Sequence, residues 1–170
     1  MQDYNEKKIA GLLLASDFRK AFDSINHDYI QAVLKIFNFG DNICEWVKLF
    51  FNDTKGRILM EGHKTDKISL EQGVLEGDII SPFIFIIAVE ILLIKITKSK
   101  IIKGVIIGNQ ECKAHTFADD TTCLIEREET SLRNCIIYIE NIKTISGLAS
   151  NLDKTNVIPF STLGISYVLT

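Results

Sequence analysis

The chain has 170 residues, 46% of them apolar and 24% charged, with a net charge of −3. That balance excludes intrinsic disorder, and 2 prolines and 10 glycines exclude collagen-like or low-complexity sequence. The length suits a single domain over residues 1–170, able to bury roughly two-thirds of its extended-chain surface. Cys44, Cys112, Cys123 and Cys135 form no CxxC pair, so they are expected to be reduced, mostly buried thiols of an intracellular protein. The polar start gives no signal peptide. The apolar run from Ile79 to Ile96 is broken by Pro82 and Glu90 and closed by Lys95, short of the ~20 apolar residues of a membrane span. No membrane partner is therefore expected.

In chain order, Ile9 to Ser16 is a continuous apolar run and predicts a strand buried on both faces, with Asp17 at its end. Ile30, Val33, Leu34 and Phe37 recur at helical spacing, and Asn38-Phe39-Gly40 stops that helix. Asp41 reads as the N-cap of a second helix with Ile43, Trp46, Val47 and Phe50 on one face. Arg57 to Met60 and Lys67 to Leu70 flank Gly62-His63 as a hairpin. Ser81-Pro82 opens a long apolar helix expected to be buried almost all round.

Lys103 to Gly108 and Cys112 to Ala118 are strand-like, joined by a turn at Asn109-Gln110, and Thr121 to Glu126 is a further strand. Leu132, Cys135, Ile136, Ile139 and Ile142 mark one face of an amphipathic helix that ends at Ser146-Gly147. Asn156 to Phe160 is a last strand. No internal repeat or linker is found. The pattern predicts an α+β fold, an antiparallel-rich sheet with helices packed on one face. The chain begins almost inside its first strand and completes no element after Phe160, which reads as a fragment truncated at both ends.

Two features carry chemistry. Asp17 stands where an apolar strand emerges, and Asp119-Asp120 follows Phe117-Ala118 at the tip of an apolar hairpin. A sheet that aligns these ends gathers three carboxylates, which repel one another unless cations or raised pKa values intervene. Hard oxygen ligands at such an edge suit Mg²⁺. Two ions roughly 3.5–4 Å apart could activate a 3′ hydroxyl and stabilise a leaving pyrophosphate. Each feature alone also fits a simpler role, since Asp favours solvated turns and helix caps. His27 and His115 have no Cys or His partner at ligand spacing, so no zinc site is expected.

Four segments in order carry a resemblance. They are Leu12-Leu13-Leu14-Ala15-Ser16-Asp17-Phe18-Arg19-Lys20-Ala21-Phe22-Asp23, Gln72 to Phe83 with Glu76-Gly77 and Ser81-Pro82, Phe117-Ala118-Asp119-Asp120, and Ser146 to Thr155 with Asn151 and Lys154. From about residue 10 to residue 160 the chain resembles the reverse transcriptase domain of non-LTR (LINE-type) retrotransposons. Group II intron maturases share parts of the pattern, including a segment like Phe22-Asp23-Ser24-Ile25-Asn26-His27.

The resemblance implies a polymerase palm, with fingers incomplete and thumb absent. It implies RNA-directed DNA synthesis on an RNA template with a DNA primer and deoxynucleoside triphosphates. Asp17, Asp119 and Asp120 would hold two Mg²⁺ (or Mn²⁺) ions. Phe22 would be the steric gate against a ribose 2′ hydroxyl, with a core aromatic as its other reading. Glu76, Gly77, Ser81 and Pro82 would lie beneath template and nucleotide, Gly77 allowing close backbone approach. Lys154 would neutralise or protonate the departing pyrophosphate, its other reading being a solvated surface lysine. A nuclear site of action is implied in the same way.

Three positions depart from the family pattern. Glu76 replaces a common Gln, removing an amide donor and adding negative charge beside a triphosphate. Ile79 replaces a frequent proline, and Ala149-Ser150 stands where a lysine and an apolar residue are usual. A pI near 5.6 also predicts weak grip on nucleic acid, because phosphate neutralisation supplies much of that binding. The alternative function is therefore a non-catalytic remnant acting at most as a binding module.

Overall fold

The computed structural model describes residues 9–117 and 120–161. In chain order its elements are β1 Ala10–Ser16, β2 Phe18–Arg19, α1 Ala21–Ser24, α2 His27–Ile36, α3 Asp41–Phe51, β3 Lys55–Gly56, β4 Leu59–Met60, β5 His63–Lys64 and β6 Ile68–Ser69. Then follow α4 Ser81–Lys98, β7 Val105–Ile107, β8 Gln110–Cys112, β9 Ala114–Phe117, β10 Asp120–Glu126, α5 Glu129–Ser146, β11 Ala149–Ser150 and β12 Asn156–Ser161. The chain divides into two compact units. One draws on the described residues of 1–18, 92–141 and 150–170, the other on 19–91 and 142–149.

The first unit holds a four-stranded antiparallel sheet in the order β12-β1-β10-β9. The apolar run predicted as a strand is its central strand β1, hydrogen-bonded on both sides, with Leu14 and Ser16 buried. Pro159, which has no N–H to give, sits in β12, which pairs with β1 alone among the described strands. Leu14 and Ser16 of β1 line a small void together with Ile136 and Ile139 of α5, so that helix lies on the sheet. Cys123 and Cys135 are buried where β10 meets α5. Hydrogen bonding from Cys135, then burial, pushes the Cys123 thiol up, so it stays protonated. The β7–β8 hairpin turns at Gly108-Asn109, and Gly104 bridges it to Ile125. Lys113 interrupts the strand expected over Cys112 to Ala118, so its two halves pair with different strands.

In the second unit, Asn26 caps α2 by accepting hydrogen bonds from the N–H groups of Asp28 (2.7 Å) and Tyr29 (3.3 Å). Tyr29 is buried and donates from its hydroxyl to the Ala88 carbonyl of α4 at 2.9 Å. The residue capping α3 is Gly40, not Asp41, which falls in the first turn without making a side-chain cap. The buried face of α3 is Cys44 and Val47. Trp46 is 68% exposed, and Ile43 and Phe50 are exposed beside it, unlike the predicted apolar face.

The expected hairpin over 57–70 is two short ladders, β3 with β6 and β4 with β5, nested around the Glu61-Gly62 turn. Only the inner pair meets across that turn, so Arg57 to Met60 does not pair with Lys67 to Leu70. Helix α4 starts at Ser81 as predicted, and Ile84, Phe85, Ala88 and Val89 are buried. It is not buried all round, because Phe83 and Ile86 are exposed. No described helix is long and apolar enough to cross a membrane.

Candidate active site

The carboxylates come from the strand register. β1 and β10 pair antiparallel from Gly11↔Glu126 to Ser16↔Thr121. That register ends at Ser16↔Thr121, so Asp17, the residue after β1, and Asp120, the first residue of β10, stand at the same end of the ladder. Asp120 is exposed and Asp17 is 16% exposed by side chain. Asp119, the third expected carboxylate, lies outside the described residues.

Asp17 is held from the segment 151–155. The Asn151 N–H donates to the Asp17 carbonyl (2.8 Å), and the Asn151 amide donates to Asp17 Oδ2 (3.3 Å). Lys154 Nζ lies 3.2 Å from the same Oδ2. The Asn151 carbonyl accepts from the Lys154 N–H (3.0 Å) and from Thr155 Oγ1 (2.8 Å), and Thr155 Oγ1 is 3.4 Å from Ser16 Oγ. Lys154, expected from its motif alone, is thus brought onto Asp17. Asn151 was not singled out as a site residue. Its signal was its place in the same motif, three residues before Lys154.

Among the described residues no group of three or more His, Cys, Asp or Glu side chains is gathered as a metal site. Asp17 and Asp120 are nonetheless carboxylates at the same end of the β1–β10 ladder, and carboxylate oxygen is the donor type a hard divalent cation prefers.

The second unit contains the other expected residues. Phe22 stacks on Phe85 of α4, ring centroids 4.8 Å apart and planes 25° apart. Phe85 is fully buried and Phe22 half-buried, so one face of the Phe22 ring is fixed by the core. Gly77 has φ +85° and nothing near its would-be Cβ, in a turn closed by the Asp78 N–H on the Leu75 carbonyl. Glu76 and Pro82 are exposed, whereas Ser81 is buried at the start of α4. Ile79, at the family's frequent proline, is 83% exposed.

Three segments of this unit meet largely through backbone. The Gly73 N–H donates to the Ile25 carbonyl (2.8 Å), Val74 N–H to Phe22 (2.6 Å), and Asn26 N–H to the Ser146 carbonyl (2.7 Å). His27 Nε2 is 2.7 Å from the Gly73 carbonyl, and its ring stacks on Phe51 at 4.3 Å. Gly73 has φ +86°, and a Cβ there would meet the Asp23 backbone at 2.8 Å; Gly147, φ +82°, would collide with the Ser24 carbonyl. His27 is thus occupied as a structural side chain. Asp23, His27 and Phe51, with Glu71, Gln72 and Glu76, line a cleft of about 470 Å³.

Residues 2–167 match the family described as reverse transcriptase (RNA-dependent DNA polymerase). The chain belongs to that family. It is 28% identical over 153 residues to the "Retrovirus-related Pol polyprotein from type-1 retrotransposable element R2" of Popillia japonica, covering 89% of this chain and 21% of that protein. It is 28% identical over 138 residues to the corresponding type-2 R2DM polyprotein of Drosophila melanogaster, covering 81% and 13%. These relatives bear out the resemblance to LINE-type elements.

Among solved structures, apo telomerase from Candida Tropicalis matches with a TM-score of 0.69 at 19% identity, over 95% of this chain and 32% of that one. A telomerase of the same organism in complex with a fragment of telomeric RNA matches with a TM-score of 0.66 at 13% identity. The mixed helical and antiparallel fold is thus that of a polymerase palm. The chain spans about a fifth or less of the curated relatives it matches.

Proposed function

We propose that this chain is the palm of an RNA-directed DNA polymerase of a LINE-type element. In it Asp17, Asp119 and Asp120 hold the divalent ions of nucleotidyl transfer. The observation that supports this reading is the β1–β10 register, whose last pair, Ser16↔Thr121, adjoins Asp17 and Asp120, together with the Asn151 amide on the Asp17 carboxylate. Family membership implies divalent-metal use; Mg²⁺ in two positions is the specific proposal, with Mn²⁺ as a substitute. When bound, the ions lower the pKa of a primer 3′ hydroxyl and neutralise charge on the leaving pyrophosphate.

The chain's own residues do the rest. Lys154 offers an ammonium beside the carboxylates for the departing pyrophosphate. Phe22, backed by Phe85, presents a ring that crowds a ribose 2′ hydroxyl and favours deoxynucleotides. Gly77 keeps the turn ahead of α4 free of side chain where nucleotide and template would pass. The partners are an RNA template, a DNA primer and deoxynucleoside triphosphates. Action in the nucleus belongs to the same proposal.

The test is primer extension by residues 1–170 on an RNA template with Mg²⁺ and deoxynucleotides, folding being checked by circular dichroism. Template-dependent extension that falls about 10³-fold or more in Asp17→Asn or Asp120→Asn supports the reading. No extension by a folded chain favours the binding-module alternative. Glu76 supports that alternative as an exposed carboxylate where the family has an amide. In an active chain, Glu76→Gln is expected to lower the apparent KM for nucleotide, and an unchanged KM removes Glu76 from the argument.

A further inference from the structure

We infer that Asp17 Oδ2 is an exchange point: Asn151 holds the carboxylate in place while Lys154 is a removable counter-ion, so a divalent cation and the Lys154 ammonium compete for one oxygen. The inference rests on the reading of Asp17 as a metal ligand.

Both contacts fall on Oδ2, the Asn151 amide at 3.3 Å and the Lys154 ammonium at 3.2 Å. Oδ2 thus accepts from one amide and carries one ammonium beside it, so a cation that takes Oδ2 competes with that pair of neighbours. The two are held very differently. The Asn151 backbone is tied to Asp17, Lys154 and Thr155 by three hydrogen bonds, so its short side chain reaches Oδ2 from a fixed base with only two rotatable bonds. The Lys154 side chain is 70% exposed and swings on four rotatable bonds.

An ion pair with one partner so open to water is weak, and its loss is largely repaid by hydration. Lys154 is therefore the donor that yields. Its backbone stays anchored on Asn151, which keeps the released ammonium close to the carboxylates. The same ion that takes Asp17 thus unlocks the cation this chain offers to a phosphate, so metal binding and Lys154 availability are coupled. Asn151 is a positioning residue in this scheme; it acts through Asp17.

The experiment titrates the 170-residue chain with Mn²⁺ alone, following free Mn²⁺ by electron paramagnetic resonance. Lys154→Met is expected to bind about threefold more tightly than the unsubstituted chain. Lys154→Arg keeps a competing charge and should bind as the unsubstituted chain does. Lys100→Met, which removes the same charge from another exposed position, should change little. A Lys154→Met affinity equal to or below that of the unsubstituted chain overturns the exchange, as does an equal gain in Lys100→Met.

Asp17→Asn separates the two ideas. Undiminished binding in Asp17→Asn overturns the metal-ligand reading itself, and the exchange falls with it. Weakened binding there with no gain in Lys154→Met overturns the exchange alone. A second readout needs no tight binding: the Lys154 side-chain amine resonance in isotope-labelled protein. It should move toward that of a free lysine as Mg²⁺ is added, and a resonance that does not move overturns the proposal.

Discussion

The β1–β10 ladder and the short ladders over 55–69 show two ways in which pairing is specified. Strand β1 is seven residues long, paired on both sides, with Leu14 and Ser16 buried on one face. A slip of one residue would turn that whole set outward, so the register is overdetermined and the place of Asp17 is fixed with it. The pairs β3–β6 and β4–β5 have two residues per strand, and Leu59, Met60 and Ile68 remain exposed. Nothing buried selects their register beyond the Glu61-Gly62 turn. A position that must be right to within a bond length is therefore carried by the long, buried ladder.

Substitutions can break or sharpen that contrast. Gly73→Ala should have the largest effect on stability, about 4 kcal/mol, from positive φ and a clash with backbone that cannot move aside. Urea unfolding measures it; a loss under 1 kcal/mol would mean the 23–27 turn has room to shift. Leu14→Ala, at a fully buried position of β1, should cost about 3 kcal/mol. Met60→Ala, 72% exposed in β4, should stay within about 0.5 kcal/mol. Equal losses from those two would erase the distinction drawn between the ladders.

An effect comparable to that of Leu14→Ala is a pH dependence. Burial pushes the Tyr29 hydroxyl up from 10.0 to about 12. Below pH 10 the phenol is neutral in both folded and unfolded chains, and its contribution is fully present. As pH rises through 10 toward 12 only the unfolded chain releases the proton, so stability falls, by about 3 kcal/mol in all. Tyr29→Phe should remove that alkaline step, at about 1 kcal/mol for the lost hydrogen bond to Ala88. The same alkaline slope in both proteins would assign it to another group.

Much of this was legible beforehand. Strand β1, the start of α4 and the end of α5 all follow from apolar runs and turns. What failed was the reading of apolar faces. Trp46, Phe83 and Ile86 obey helical periodicity yet are exposed, because period tells which residues share a face and not what covers it. The 57–70 hairpin was misregistered because one Gly-centred turn fixes only its immediate pair. Asn151 is quoted in its motif but given no role, because an amide has no charge and no pKa to advertise one; its hydrogen bonds to Asp17, 134 positions away, become visible only in the fold.

The joint between residues 22–27, 72–74 and 146–147 has a consequence for how such a chain can vary. Backbone groups make most of its contacts, and its two closest approaches are at Gly73 and Gly147. A damaged side-chain core can be rescued by enlarging a neighbour, but a clash against a carbonyl offers no neighbour to shrink. Second-site suppressors of substitutions at these glycines should therefore be scarce. Parts of three of the chain's four signature segments then persist as one inherited knot of main chain, independently of anything they do to a substrate.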